Sequence, residues 1–143
     1  MCLICERIED LKNGDSPFLV KEFKHSYLVV GDHQFFQGYC QLIMKEHIED
    51  LTDLDPIVQG EFFKEVTRSA KVIKRLFKAD RINYSCLGNV VQHVHFHIFP
   101  RYKDELAKNS KKDPWVHSDQ FNSFETTDAV ALDIVESLRP LLS

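Results

Sequence analysis

The segment His93-Val94-His95-Phe96-His97-Ile98-Phe99 places three histidines on alternate residues and separates them with apolar side chains. Successive side chains of a β-strand point to opposite faces, so this alternation predicts three imidazoles on one face and Val94, Phe96 and Ile98 on the other. The apolar face is expected to pack into a core, which would hold the imidazole face on a rigid element. Because a row of titratable nitrogen bases suits nucleophilic catalysis, phosphate binding or metal ligation, we expect the functional site at this strand.

The residues before this strand predict several short strands and one long helix. Asp55-Pro56 is a strong helix start, and apolar residues then recur every three or four positions to about Lys78. The histidine strand is expected to end at Pro100. Strands are predicted at residues 17–23, 27–30, 38–44, 81–87 and 90–99.

The residues after Pro100 predict a polar loop and a second, shorter helix. Residues 101–113 contain five Lys or Arg and are typical of a mobile loop, whose lysines 108, 111 and 112 form either a solvated face or a cover over a polyphosphate. Trp115 either anchors the chain on the body or forms the wall of a ligand pocket, and a helix is predicted at Thr127–Leu138. The whole pattern predicts one α+β domain over residues 1–143, with two layers, a largely antiparallel sheet, and a polar loop and tail from about residue 101.

Composition narrows the classes of function. The net charge of −4 argues against a surface for duplex nucleic acid, although a local basic pocket for a small anion stays open. No apolar run approaches the ~20 residues needed to cross a bilayer, and Met1–Glu6 lacks the basic start and apolar stretch of a signal peptide. A cytoplasmic location is therefore expected, where the four cysteines are thiols or metal ligands rather than disulfides.

The histidine segment resembles the His-x-His-x-His-x-x signature, with apolar x, of the histidine-triad (HIT) family. The closest similarity is to the bacterial diadenosine-polyphosphate-hydrolase-like branch. The likeness extends, in the family's order and spacing, to Cys2-Leu3-Ile4-Cys5, Gly38, Lys45-Glu46-His47-Ile48, Asn83, Leu87-Gly88-Asn89 and Pro100-Arg101.

This resemblance implies nucleotidyl transfer at the α-phosphorus of a nucleotide. The middle histidine, His95, would attack phosphorus and form a nucleotidyl-histidine, which water would hydrolyse to a nucleoside monophosphate. His97 and Asn89 would contact the phosphate oxygens, and Asn83 would make a polar contact with the nucleotide. Dinucleoside polyphosphates are the favoured substrates, and nucleoside phosphoramidates are the nearest alternative.

Two positions depart from the pattern of many family members. Val90 stands where many members have Ser or Thr, so a hydroxyl contact to the phosphate or leaving group is missing. Tyr39 stands where many members have histidine, which keeps an aromatic ring for base stacking or packing but not an imidazole. Both changes affect the expected leaving group rather than the expected reaction.

The resemblance also implies a metal and a partner. In zinc-binding members the two cysteines of the N-terminal C-x-x-C pair join the histidine of the K-x-H motif and the first triad histidine. A structural zinc is therefore implied at Cys2, Cys5, His47 and His93, which supplies the four ligands of a tetrahedral site. No organic cofactor is expected. Family members are generally homodimers whose sheets join edge to edge, so a homodimer is expected.

Two other functions remain open on the residues alone. The triad itself could ligate a catalytic metal that activates water, or the chain could bind a nucleotide without turning it over. Outside the motifs, the histidines at 25, 33 and 117 are expected at the surface, and Cys40 and Cys86 in core packing.

Overall fold

The computed structural model describes residues 1–105 and 111–143 and contains a five-stranded antiparallel sheet. Across the sheet the order is β1-β2-β3-β5-β4, and every neighbouring pair is antiparallel. The predicted α+β class and antiparallel sheet are confirmed. The strands are β1 (Leu19–Glu22), β2 (Ser26–Val30), β3 (Cys40–Met44), β4 (Arg81–Ser85) and β5 (His95–Arg101).

Both predicted helices are confirmed, and their caps explain where they begin. The side chain of Asp55 accepts a hydrogen bond from the Ile57 N–H at the start of the long helix. The side chain of Thr127 accepts from the Val130 N–H in the same way at the start of the short one. The helices are α1 (Leu3–Lys12), α2 (Pro56–Leu76) and α3 (Asp128–Leu138), with 3₁₀ turns at Leu51–Asp53, Pro114–Phe124 and Arg139–Leu141.

The main core lies between one face of the sheet and the helices α2 and α3. Val94 and Ile98 are buried in this core and Phe96 packs against it, as the alternation predicts. The opposite face, which carries His95 and His97, is covered by two smaller apolar clusters. One cluster lies under α1, and the other lies beside the Pro114–Phe124 turns.

The histidine strand differs from its predicted bounds at both ends. It begins at His95, because the His93 N–H bonds to the Val91 carbonyl at 2.9 Å within a turn rather than to a neighbouring strand. It also continues through Pro100 to Arg101. Pairing with β3 stops at Ile98, so only β4 lies beside Pro100, and the missing proline N–H is tolerated there.

Helix α1 is not among the predicted elements. Its apolar signal is short, because only Ile4, Ile8 and Leu11 recur at helical spacing, and these three are its buried residues. The helix begins after Cys2, whose side chain accepts from the Cys5 N–H. The C-x-x-C motif, which predicts a pair of metal ligands, is therefore also the start of α1.

The predicted loop after β5 is anchored in its first part. Arg101 still belongs to β5, is only 2% exposed and pairs with Glu105 at 2.6 Å. The central residues of that loop, including Lys108, lie outside the described residues. Among residues 1–105 and 111–143, no helix is both long and apolar enough to span a bilayer.

Candidate active site

His95 is held in one tautomer at the start of β5. Its Nδ1 lies 2.6 Å from the carbonyl oxygen of His93. A carbonyl can only accept, so Nδ1 carries the proton and donates, and Nε2 keeps its lone pair. The ring is buried and lies beside that of His97, with 4.9 Å between the centroids. This is the state that a nitrogen nucleophile requires.

His97 is the more deeply packed of the two rings. Its Nδ1 lies 2.6 Å from the Tyr39 hydroxyl, and Trp115 contacts it edge-on at 4.9 Å between centroids. Burial, with smaller contributions from the neighbouring His95 and His33, lowers the pKa of His97 to about 3. His97 is therefore neutral at pH 7 and acts as a neutral hydrogen-bonding group.

Both rings face a cleft of about 820 Å³ between the sheet, α1 and the turn that leads into β5. Its size is in the range of small-molecule sites. Its lining combines apolar side chains with charged and amide groups. The lining includes Leu3, Ile4, Arg7, Phe18, Asp32, Gln41, Asn89, Val91, His95, His97 and Trp115.

The predicted substrate-binding residues separate into two groups. Asn89 is exposed and lines the cleft with His95 and His97. Asn83 does not line it; its Oδ1 accepts from Arg101 Nη1 at 2.7 Å. Tyr39 does not line it either, because the ring is 2% exposed and lies behind His97, so it has no free face for a base.

The four predicted metal ligands converge on one point. The Nδ1 atoms of His47 and His93 are 3.3 Å apart, and the cysteine sulfurs lie 3.4–3.6 Å from the histidine nitrogens that they contact. Ordinary zinc bond lengths give a tetrahedron with edges of about 3.4 Å between nitrogens and about 3.6 Å between sulfur and nitrogen. The donor set of Cys2, Cys5, His47 and His93 and four of their six ligand-to-ligand distances fit a tetrahedral metal site, and all four ligand atoms lie within 4.8 Å of one another.

His93 is oriented as a metal ligand usually is. Its Nε2 donates to the Met44 carbonyl oxygen at 2.7 Å, which leaves Nδ1 free to ligate. Burial lowers its pKa and keeps the ring neutral, which ligation requires. Burial also raises the pKa of Cys5, and the adjacent Cys2 raises it further; a bound cation would reverse this effect.

The triad is therefore divided between two sites. The side chain of His93 faces the thiols of Cys2 and Cys5, whereas its carbonyl orients His95. Within the part of the chain that the structure describes, His95 and His97 belong to no group of three or more metal-ligating side chains. This arrangement does not support the alternative in which the whole triad ligates a catalytic metal.

Several cleft residues were missed by the sequence analysis. Arg7, Asp32 and Gln41 supply polar and charged groups to its lining, and Arg7 Nη1 is 3.3 Å from Asp32 Oδ1. Arg7 lies on α1, so a prediction of that helix would have been needed to identify it. His33 was expected at the surface but is 8% exposed and stacked on Phe121, with 3.8 Å between the centroids.

A comparison with family models identifies this architecture. The HIT domain model matches residues 15–104, which is most of the chain and includes the histidine strand. The chain belongs to the HIT domain family. A HIT-like protein of Methanocaldococcus jannaschii is 29% identical over 110 residues, which cover 73% of this HIT protein and 82% of the relative.

A second relative carries an activity in its name. The bis(5'-adenosyl)-triphosphatase of Saccharomyces cerevisiae is 31% identical over 99 residues. The match covers 62% of this HIT protein and 48% of the yeast enzyme, so the chain spans about half the length of that relative.

Solved structures share the fold over nearly the whole chain. The histidine triad protein blr8122 of Bradyrhizobium japonicum superposes with a TM-score of 0.73 at 20% identity and covers 92% of both chains. A zinc-bound histidine triad family protein of Mycobacterium smegmatis superposes with a TM-score of 0.63 at 22% identity, covering 98% of this HIT protein and 96% of that chain.

Proposed function

We propose that this HIT protein hydrolyses dinucleoside polyphosphates at the α-phosphorus through a nucleotidyl-His95 intermediate. The observation that carries the proposal is the 2.6 Å hydrogen bond from His95 Nδ1 to the His93 carbonyl, which makes Nε2 the lone-pair nitrogen. The similarity to a yeast bis(5'-adenosyl)-triphosphatase supports the substrate class.

The reaction needs two displacements at one phosphorus. His95 Nε2 forms a bond to the α-phosphorus, and the bond to the bridging oxygen breaks, so the remaining nucleotide leaves with that electron pair. Water then attacks the same phosphorus, gives up a proton to solvent, and the P–N bond breaks to release a nucleoside monophosphate and free His95. His97 and Asn89 would donate hydrogen bonds to the phosphoryl oxygens as charge develops on them.

The cleft lining supplies both apolar and polar groups for a nucleotide. Apolar Ile4, Phe18 and Val91 form a surface for a base. Arg7 and Asp32 supply a donor and an acceptor for sugar or phosphate groups, while the rings of His95 and His97 mark the reacting end. Tyr39 and Asn83, which do not line the cleft, have no direct substrate contact in this proposal.

We further propose that the tetrahedral cluster holds zinc with a structural role. The ion would be ligated by the two cysteine sulfurs and the Nδ1 atoms of His47 and His93. When bound, it supplies the positive charge that keeps the thiols ionised. The zinc-bound M. smegmatis relative supports this metal. The chain's own contribution is to fix His93, whose carbonyl orients His95.

The direct test replaces the nucleophile and uses a second histidine as control. Wild-type protein is expected to release nucleoside monophosphate from a panel of dinucleoside polyphosphates, and quenching in alkali should trap one nucleotidyl group on His95 by mass spectrometry. His95→Asn should lower kcat by roughly 10³-fold or more, because no other described group in the cleft replaces the attacking nitrogen. His25→Asn, whose ring instead bonds Glu61 at 2.7 Å, should retain activity.

The same panel separates the remaining candidates. Turnover of phosphoramidates but not of dinucleotides would revise the proposed leaving group and leave His95 as the proposed nucleophile. If wild type binds nucleotides but forms neither product nor a nucleotidyl-histidine adduct with any substrate of the panel, the proposal is overturned in favour of a binding module. Equal activity of His95→Asn and wild type would place the nucleophile elsewhere.

A further inference from the structure

A chain of buried hydrogen bonds leads from α1 to His97. Arg7 Nη1 lies 3.3 Å from Gln41 Oε1, and Gln41 Nε2 lies 2.7 Å from the Tyr39 hydroxyl oxygen. The Tyr39 hydroxyl in turn lies 2.6 Å from His97 Nδ1. Gln41, Tyr39 and His97 are buried, Gln41 and His97 also line the cleft, and the Arg7 side chain is partly exposed.

Chemistry determines the direction of the first two bonds in this chain, and the third is inferred from the need to satisfy the hydroxyl proton of Tyr39. A guanidinium can only donate, so the Gln41 oxygen faces Arg7, and the amide N–H₂ faces Tyr39. An amide nitrogen does not accept, so the Tyr39 oxygen is the acceptor from Gln41. The hydroxyl proton of Tyr39 is then left for one acceptor, His97 Nδ1.

We propose that Tyr39 and Gln41 are positioning residues that hold His97 in the tautomer with the proton on Nε2. His97 then presents an N–H donor towards the cleft. The neighbouring His95 is held in the opposite tautomer by the His93 carbonyl. His95 is thereby the nucleophile, and His97 is the hydrogen-bond donor. The catalytic consequence rests on the proposed function, whereas the tautomer itself does not.

Replacing Gln41 by Glu would reverse the chain without changing its shape. A carboxylate cannot donate, so the Tyr39 hydroxyl would turn its proton towards residue 41. The Tyr39 oxygen would then accept from His97 Nδ1–H. Replacing Tyr39 by Phe would remove the donor to Nδ1 but keep the ring, which stacks on Phe99 with 4.4 Å between centroids.

The tautomer can be read directly by long-range ¹H–¹⁵N NMR of ¹⁵N-labelled protein at pH 8. We expect the His97 ring of wild type to show a protonated Nε2 and a bare Nδ1. Gln41→Glu should show a protonated Nδ1, and Tyr39→Phe a mixture of tautomers. Tyr102→Phe is the matched control, because it removes a hydroxyl that donates to the Gln37 carbonyl at 2.6 Å outside the cleft; the His97 signals should stay unchanged.

Activity of the same proteins tests the catalytic consequence. Gln41→Glu and Tyr39→Phe should lower kcat by roughly 10–100-fold with a smaller change in KM, because a donor to the transition state is lost. A protonated Nδ1 in wild type, or a bare Nδ1 in Gln41→Glu, would overturn the tautomer assignment. A changed tautomer with unchanged kcat would overturn the positioning role. If wild type hydrolyses nothing but shows the expected signals, the proposed function fails and the assignment stands.

Discussion

At the scale of single residues, identical side chains acquire different chemistry from their partners. The alternating sequence predicts that His95 and His97 share a face, and their rings do lie 4.9 Å apart. It cannot predict their tautomers, because these depend on the His93 carbonyl and on Tyr39, which is 58 positions before His97. The same limit applies to Tyr39, which was expected to serve in base stacking or packing: its contacts with His97 and Phe99 arise only in the folded sheet.

His33 provides a residue-scale prediction about stability. It packs between Tyr39 and Phe121, and burial lowers its pKa to about 4, against a weaker opposing effect of Asp32. An unfolded histidine has a pKa of about 6.5. Because the folded pKa is the lower one, the unfolded state binds the proton more readily. The stability contributed by neutral His33 is complete above about pH 6.5 and is lost as the pH falls towards 4.

His33→Phe should make the protein less sensitive to acid. The free energy of unfolding from urea titrations should fall less between pH 7 and pH 4.5 than in wild type, by on the order of 2 kcal/mol. At pH 7 the variant should be about 1 kcal/mol less stable, because the Phe35 N–H loses His33 Nδ1 as an acceptor. Parallel losses in the two proteins would show that His33 does not titrate in this range.

At the scale of elements, the apolar repeat of α2 was predictable from the sequence, whereas helix α1 and its attachment to the sheet were not. The Asp55-Pro56 start and the apolar repeat predicted α2 to within two residues at its end, since both signals are local. Helix α1 has only three buried apolar residues, too few for a clear periodic signal. The fold keeps it in place by other means, because Cys2 and Cys5 at its start contact the histidines at 47 and 93.

Removing the metal should therefore loosen α1 before the rest of the protein. After exhaustive chelation we expect faster amide exchange in α1 but not in α2, and a Tm lower by roughly 5–10 °C. Zinc should restore both. Cys5→Ser should behave like the chelated protein, whereas Cys86→Ser, a thiol outside the cluster, should not. An unchanged melt together with no metal by elemental analysis would contradict the zinc proposal.

At the scale of the whole molecule, the two edges of the sheet differ. The β1 edge is short, and its register shifts between Leu19 and Lys21, which makes it a poor template for a further strand. The β4 edge pairs with β5 over five residues without a shift. On β4 the Tyr84 side chain is 49% exposed, and within the described residues no strand pairs with its outer side. The sequence could predict an exposed edge but not which one, because strand order is not a local property.

We propose that the expected homodimer forms along β4. Pairing two copies along this strand would satisfy the free backbone groups of both and cover the two Tyr84 rings. Tyr84→Lys puts a charge on that surface and should shift the protein from dimer to monomer in sedimentation experiments at equal concentration, whereas Tyr84→Phe, which keeps the ring, should remain dimeric. Dimers of both variants would place the interface elsewhere, and a monomeric wild type at all concentrations would contradict the dimer.

Ser85 of the same strand accepts from Trp115 Nε1 at 2.9 Å, and Trp115 lines the cleft. Dimer formation should therefore also stiffen one wall of the cleft, so the monomeric variant should show a raised KM.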